Sequence, residues 1–289
     1  MTDLKNIINK YGEPKAIIDY ENNQHRKKII FDFEETICLN SKGDLLVNGK
    51  PTTEDCCKVW QKCIEDWKNE MNPKQIAAVG FFSYDFKNVL YPEAGFAQIA
   101  DNQMPLFWFG KPGKSVDLED YQYTFQNQHI QLKQDLEESS IFDKNIQNIK
   151  NYLYAGDVYQ VNYTQPMIFD FQGIPFELFM QIKDIANPQF GVYLDTGDSQ
   201  VLSFSPEKFF TKTQESLSSF PIKGTIKRLA DEEADKNQIE QLSKSIKDKA
   251  EHLMIVDLLR NDIGSISKFG SINVENLFSI KTFETIHHM

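Results

Sequence analysis

A lysine that precedes a glycine is the first residue of this sequence that could act as a nucleophile. Lys223 stands in the segment PIKGT, where Gly224 and Thr225 follow it. Glycine has no side chain, so a ligand can approach the backbone closely, and an extended segment ending there can direct the lysine amine into a pocket. The same pattern is also typical of a surface turn with a solvated lysine, because most lysines are exposed.

Two glutamates could supply acid–base or metal chemistry. Glu207 follows a proline in SPEKFF, and a glutamate at a strand end can act as a general acid if burial raises its pKa. Glu251 lies in AEHLMIVDLLRNDIG, where helical spacing places it beside apolar neighbours, and such a carboxylate could bind Mg²⁺. The simpler alternatives are an exposed Glu207 at a strand end and an ion pair between Glu251 and Lys247, four residues earlier.

Two adjacent histidines, His287 and His288, stand at the end of the sequence. Successive residues of an extended strand face opposite sides, so only one of these imidazoles can point into a given site. The pattern therefore predicts one histidine at the site and one turned away from it. The alternative is that neither histidine has a role.

The elements that would position these residues are mixed strands and helices without regular βαβ units. Partly alternating, β-rich segments predict strands over 29–38, 76–84, 105–110, two within 121–133, 158–169, 190–197 and 201–210. Helical spacing of apolar residues predicts helices over 54–70, over 142–155 with Gly156 as the C-cap, and over 231–262 with Gly264 as its end. This mixture indicates the α+β class.

Composition and charge exclude several classes of function. The chain is 40% hydrophobic and 25% charged, an ordinary globular balance that can bury a core. A formal net charge of −11 argues against a nucleic-acid partner, although a local cationic pocket could still bind a small anion. No apolar run approaches the roughly 20 residues of a membrane span. The four cysteines fit no common zinc pattern, and without a secretion signal we expect free thiols and a cytoplasmic location.

In their order along the chain, GDVYQVNYTQ, SPEKFF, PIKGT, AEHLMIVDLLRNDIG and the closing IHH resemble the chorismate-binding enzymes. This family includes anthranilate synthase component I, aminodeoxychorismate synthase component I, isochorismate synthase and salicylate synthase. The resemblance is strong over 142–289 and looser upstream, where GFFSYDFKNVL is similar to a strand of the family's N-terminal region. It implies two packed β-sheets with flanking helices. The polar stretch 134–140 then separates an N-terminal component I region, 1–135, from the first half of the chorismate-binding domain, 136–289.

Lysine in the PIKGT segment favours the aminodeoxychorismate branch of this family. Anthranilate synthases usually carry alanine there, as PIAGT, and isochorismate and salicylate synthases use a lysine elsewhere to activate water. The resemblance thus implies amination of chorismate to 4-amino-4-deoxychorismate for para-aminobenzoate and folate synthesis. It also implies a separate glutamine amidotransferase subunit as the source of ammonia.

For the site, the resemblance implies covalent catalysis by Lys223, whose amine attacks C2 of chorismate as the C4 hydroxyl leaves. Ammonia then adds at C4 and expels the lysine. Glu207 would protonate the leaving hydroxyl, and His288 would lie near the reacting face. Gly224 and Thr225 would lie near the substrate.

The resemblance also implies a Mg²⁺ ion that neutralises a substrate carboxylate, with Glu251 as one of its ligands. Family members continue past the histidine with GAPK, IRT and GxGIV segments and a late glutamate that also binds magnesium. These segments have no counterpart in the 289 residues, so we expect a truncated or split chain that is inactive alone. Two alternatives stay open: anthranilate synthase component I, and a non-catalytic remnant that binds an amidotransferase.

Overall fold

The computed structural model describes residues 2–20, 27–72, 75–96, 104–119, 121–126, 128–134 and 138–289. The helices are α1 (Leu4–Tyr11), α2 (Cys56–Glu70), α3 (Lys87–Leu90), α4 (Ser139–Ala155), α5 (Pro175–Ala186), α6 (Glu232–Lys244) and α7 (Ile246–Ile266). The first strands are β1 (Thr2–Asp3), β2 (Ala16–Tyr20), β3 (Lys27–Ile30), β4 (Phe33–Leu39), β5 (Leu45–Val47), β6 (Lys50–Thr52), β7 (Val79–Phe82), β8 (Phe107–Pro112), β9 (Ser115–Leu118) and β10 (Tyr121–Gln122). The remaining strands are β11 (His129–Gln134), β12 (Ile168–Gln172), β13 (Phe190–Asp195), β14 (Gln200–Ser205), β15 (Thr211–Lys212), β16 (Leu217–Ser218), β17 (Thr225–Lys227), β18 (Lys281–Thr282) and β19 (Ile286–His288).

The strands form several small sheets, in which most pairings are antiparallel. Two sheets have five strands, in the orders β6-β5-β4-β8-β7 and β14-β13-β2-β3-β9. A three-stranded sheet has the order β17-β19-β18, and the pairs β11-β12 and β15-β16 are also antiparallel. Strands β1 and β10 pair in parallel. This mixture of antiparallel sheets and helices confirms the predicted α+β class.

The chain divides into two compact units, each discontinuous in sequence. The first consists of Met1–Ile17, Lys27–Asn187 and Tyr193–Leu202. The second consists of Ile18–Arg26, Pro188–Val192 and Ser203–Met289. The expected division near residue 135 concerns the regions of the family and stays a prediction.

Helix α2 shows how the amphipathic pattern builds a core in the first unit. Asp55 caps the helix, because its carboxylate accepts a hydrogen bond from the Lys58 backbone N–H at 2.9 Å. Trp67 is buried with Ile37 and Phe107 of the adjoining sheet. The other residues that recur at helical spacing along α2 are partly buried and pack against this cluster: Val59, Trp60, Cys63 and Ile64. The helix predicted over 54–70 is therefore confirmed, together with the face it buries.

Several other elements follow the sequence pattern, some in shorter form. Helix α4 ends at Gly156, whose positive φ of 80° allows its N–H to bond the Leu153 carbonyl oxygen. Strands β8, β13 and β14 lie where they were predicted, whereas β7 covers only part of 76–84. The segment 29–38 forms two strands, β3 and β4, that belong to different sheets.

The strand predicted over 158–169 is wrong for most of its length. Residues 158–167 form no strand, and β12 begins only at Ile168, where the pairing with Gln134 of β11 starts. An alternating sequence becomes a strand only where a neighbouring strand satisfies its backbone hydrogen bonds.

The single helix predicted over 231–262 is also wrong, since α6 and α7 are separated at Ser245. The backbone of Ser245 is extended, and the Ser245 hydroxyl accepts a hydrogen bond from the Asp248 N–H at 3.2 Å. This contact caps the start of a new helix. Gly264 does not end α7, which continues to Ile266. A glycine C-cap requires a positive φ, and Gly264 does not have one.

Among the described residues, no helix combines the length and the apolar character that crossing a membrane requires.

Candidate active site

The three-stranded sheet of the second unit brings the PIKGT segment beside the histidine pair. Strand β19 is central, and Thr225 of β17 lies opposite His288. Beyond the strands, the Lys223 N–H donates to the Met289 carbonyl oxygen at 3.0 Å, and the Met289 N–H donates to the Gly224 carbonyl oxygen at 3.0 Å. These backbone hydrogen bonds hold Met289 beside Lys223, although the two residues lie 66 positions apart in sequence.

Gly224 can be no other residue without strain. Its φ is +73°, in the left-handed region that side chains rarely adopt. A Cβ atom there would lie 3.0 Å from Cβ of Asp248 and 3.1 Å from Cδ1 of Leu242. The glycine thus allows the segment to turn at Lys223 while it packs closely against α6 and α7.

Lys223 is half-buried at this turn. In the described part of the chain its amine forms no ion pair, so no carboxylate holds it. An amine in this position is available to react with a bound electrophile.

Glu207 lies next to the lysine segment through a backbone contact. Its Oε1 accepts a hydrogen bond from the Ile222 N–H at 3.1 Å, one residue before Lys223. The turn that carries it is closed by the Ser205 hydroxyl, which donates to the Glu207 carbonyl oxygen at 2.8 Å. The side chain of Glu207 is exposed.

His288 is buried and faces Thr225, whose Oγ1 lies 2.7 Å from its Nδ1. The Phe283 ring packs edge-on against the imidazole, with 5.3 Å between the ring centroids. Burial lowers the pKa of His288, while the Gly224 backbone and the negative charge of Glu207 act in the opposite direction. The imidazole is therefore favoured in its neutral form, within the electrostatic influence of Glu207.

Glu251 lies on α7, three residues after Asp248, which packs against Gly224. Side chains three residues apart share a helix face, so α7 directs Glu251 toward the same side as the glycine turn. Its carboxylate is paired with Lys247 at 3.8 Å, as the simpler alternative predicted. Within the described ranges, no group of three or more His, Cys, Asp or Glu residues is arranged to bind a metal ion.

His287 points away from His288, as predicted for adjacent residues of a strand. It is fully buried, and its Nε2 lies 2.9 Å from Oδ1 of Asp235. Its Nδ1 lies 2.9 Å from the Thr282 hydroxyl oxygen. Neither Asp235 nor Thr282 was predicted as a partner of the histidines. The segment DEEADK, which contains Asp235, is typical of the acidic first turn of a helix and gives no sign of a distant partner.

The structure thus brings together a half-buried lysine residue, a carboxylate, a hydroxyl and a neutral imidazole near Gly224. These groups are Lys223, Glu207, Thr225 and His288, and all lie in the second unit. An amine nucleophile beside a carboxylate that can carry a proton is suited to covalent displacement of a hydroxyl group. The predicted site residues other than Glu251 are linked here through one sheet and its adjoining turns.

Comparisons with known proteins identify relatives of this chain. An aminodeoxychorismate synthase component 1 from Klebsiella aerogenes is 40% identical over 148 residues, 51% of this chain and 33% of that relative. The protein of that name from Escherichia coli strain K12 is 30% identical over 267 residues, 82% of this chain and 59% of that relative. The chain therefore spans well under two thirds of the length of these two relatives.

The fold is also similar to a solved structure. The crystal structure of anthranilate synthase component I from Streptococcus pneumoniae TIGR4 aligns with 91% of this chain and 68% of its own, with a TM-score of 0.68 and 18% identity. The sequence profile of the family described as chorismate binding enzyme matches residues 13–289, which contain every residue of the site. The chain belongs to the chorismate binding enzyme family.

Proposed function

We propose that this chain carries the nucleophilic half of a site that aminates chorismate to 4-amino-4-deoxychorismate, for para-aminobenzoate and folate synthesis. The observation that carries the proposal is the place of Lys223, which is half-buried, precedes Gly224 and forms no ion pair with any residue that the structure describes. The N–H of the preceding Ile222 donates to Glu207, and the Lys223 N–H donates to Met289, which follows His288. The similarity to two relatives named aminodeoxychorismate synthase component 1 supports the same assignment.

In the first step, the lone pair of the neutral Lys223 amine forms a bond to C2 of chorismate. The ring π electrons shift, the C4–oxygen bond breaks, and Glu207 in its protonated form transfers a proton to the departing hydroxyl, which leaves as water. The attacking nitrogen then loses a proton, which the Glu207 carboxylate can accept. One difficult substitution is thereby replaced by two allylic ones.

In the second step, ammonia adds at C4, the π electrons shift back, and the C2–nitrogen bond breaks. The proton held by Glu207 returns to the lysine nitrogen, so Lys223 leaves as a neutral amine. The new C4 ammonium group then gives a proton to the Glu207 carboxylate, which restores the acid for the next turnover. The balance is chorismate plus ammonia giving aminodeoxychorismate plus water. His288 and Thr225, linked at 2.7 Å, would present a neutral hydrogen-bonding pair to the ring substituents.

We propose Glu251 as a carboxylate of this chain that would hold a Mg²⁺ ion. Magnesium commonly uses one or two protein carboxylates and completes its shell with water and substrate oxygens. The ion pair of Glu251 with the exposed Lys247 is long, at 3.8 Å, so the carboxylate can exchange its partner. When bound, the ion would neutralise a carboxylate of chorismate.

Replacing Glu251 with glutamine tests this metal assignment. We expect the midpoint of Mg²⁺ activation to rise roughly 10-fold or more, because one of few charged ligands is lost. Titration of amination rate against Mg²⁺ measures the effect, and Asp257→Gln on the same helix is the control. An unchanged midpoint in Glu251→Gln would show that Glu251 does not bind the metal.

We further propose that ammonia is delivered by a glutamine amidotransferase subunit and that the protein works in the cytoplasm. The component 1 naming of both relatives supports a second component. The free cysteines of the described chain, Cys38, Cys56, Cys57 and Cys63, suit a reducing compartment.

The proposal is tested by identifying the product. The 289-residue chain is assayed with chorismate, Mg²⁺ and ammonium, alone and with the unmatched portion of the Escherichia coli relative supplied as a second polypeptide, and products are identified by mass. Aminodeoxychorismate is the expected product. Anthranilate with release of pyruvate would instead favour the anthranilate synthase alternative, and no product in either mixture would favour a non-catalytic role.

A further inference from the structure

A buried histidine–aspartate pair lies behind the site and is not used by the proposed chemistry. His287 is fully buried at the centre of β19, and both of its ring nitrogens have partners. The Nε2 lies 2.9 Å from Asp235 Oδ1, and the Nδ1 lies 2.9 Å from the Thr282 hydroxyl. A neutral ring satisfies both contacts if Nε2–H donates to the carboxylate and the hydroxyl donates to Nδ1.

Asp235 connects three separate segments. Besides His287, its Oδ1 accepts a hydrogen bond from the Leu229 N–H at 2.8 Å, and its Oδ2 accepts one from the Arg228 Nε at 3.4 Å. The same arginine donates through Nη1 to the Phe283 carbonyl oxygen at 3.1 Å. The Asp235 carboxylate thus joins the first turn of α6 to the end of β17 and to β19, and Arg228 extends the contacts to the turn before β19.

The contacts of His287 with Asp235 and Thr282 are connected to the site through the backbone of β19. Because successive side chains of a strand point to opposite faces, fixing His287 on one face fixes the direction of His288 on the other. The next residue, Met289, exchanges backbone hydrogen bonds of 3.0 Å with Lys223 and Gly224. A displacement of His287 would therefore move both the imidazole at the site and the segment that carries the nucleophile.

We propose that Asp235 and His287 are positioning residues, which hold His288 and the Lys223 segment in register for amination of chorismate. The kinetic part of this inference rests on the proposed function, whereas the positional part does not. Neither side chain needs to contact substrate. A displacement of about 1 Å at a reacting group is enough to lower a rate by roughly 100-fold, so a rigid support behind the site has a large effect.

The experiment compares five forms of the full chain by histidine ring NMR as a function of pH. They are the parent, Asp235→Ala, Thr282→Val, His287→Gln and Glu240→Gln. Glutamine can reproduce the Nε2 donor of His287 and so keeps the contact with Asp235. Glu240 lies on the same helix as Asp235, is exposed and is paired with Lys244, which makes it the matched control.

We expect the pKa of His288 to lie below the ordinary value in the parent and to rise toward about 6.5 in Asp235→Ala, because the ring leaves its packed position. Thr282→Val, a milder change that keeps the fold, is expected to give a smaller rise. His287→Gln and Glu240→Gln should titrate like the parent. In the amination assay, Asp235→Ala should lower kcat by roughly 10- to 100-fold with little change in KM.

An unchanged titration of His288 in Asp235→Ala and Thr282→Val, with only a lower Tm, would show that the pair is purely structural and would overturn the proposal. If the parent makes no aminodeoxychorismate, the proposed function fails, but the titrations still decide whether the pair positions His288. A parental titration of His288 combined with a roughly 100-fold lower kcat in His287→Gln would also contradict the proposal, since that variant keeps the contact with Asp235.

Discussion

Lys223→Ala should abolish the formation of aminodeoxychorismate, with kcat reduced on the order of 10³-fold or more. In the proposed mechanism, this amine is the group that forms the bond to the substrate. Lys223→Arg should be equally inactive, because a guanidinium keeps the positive charge but is never a free nucleophile at neutral pH. The rate of product formation, followed by mass, measures the effect.

The matched control for this change is Lys227→Ala. Lys227 is an exposed lysine at the end of β17, four positions along the same segment, and we assign it no role in the chemistry. It should retain parental activity. A mass increase equal to chorismate minus water, found on the parent and absent from Lys223→Ala, would locate the covalent bond on this residue. If Lys223→Ala kept the parental rate, the covalent mechanism would be wrong.

The second large effect is expected for Glu207→Gln, with kcat lowered roughly 10²- to 10⁴-fold. In the parent, the Ile222 N–H donates to Glu207 Oε1 at 3.1 Å. Glutamine keeps an Oε1 that can accept this bond, so the backbone before Lys223 should be preserved. What is lost is the proton that the leaving hydroxyl needs and the base that accepts it back. KM for chorismate should change little.

The split between kcat and KM separates this role from a role in binding. Loss of the acid lowers kcat and leaves KM nearly unchanged, whereas loss of a binding contact raises KM. Glu215→Gln, in the exposed turn between β15 and β16, is the control and should behave as the parent. A Glu207→Gln variant that lost affinity for chorismate and kept its kcat would assign Glu207 to binding.

Elements whose stability is local were predictable from the sequence. Helix α2 was predicted because its apolar residues recur at helical spacing. The end of α4 was predicted because glycine at position 156 adopts a positive φ at little cost. One segment that would need a partner strand was predicted wrongly. The segment 158–167 alternates like a strand, but no neighbouring strand pairs with it in the described chain.

The break between α6 and α7 shows the limit of periodicity. Apolar spacing continues from Leu242 past Ser245 into α7, so the pattern alone predicts one long helix. The serine hydroxyl instead caps the second helix, and Leu242 of α6 and Asp248 of α7 both pack against Gly224. A capping residue inside a periodic stretch is a local signal, but whether it is used depends on what the two helices pack against.

The sequence by itself determined the family, the α+β class and the candidate residues for catalysis and binding: Lys223, Glu207, Glu251, Thr225, Gly224 and His288. Their types, order and spacing are properties of the chain, and each could be recognised without a neighbour. Only the tertiary structure decided that His288 contacts Thr225, that Glu207 bonds beside Lys223, and that Asp235 supports His287 from 52 residues away. The physical reason is that strand pairing and helix packing bring together residues whose separation in sequence carries no trace of the contact.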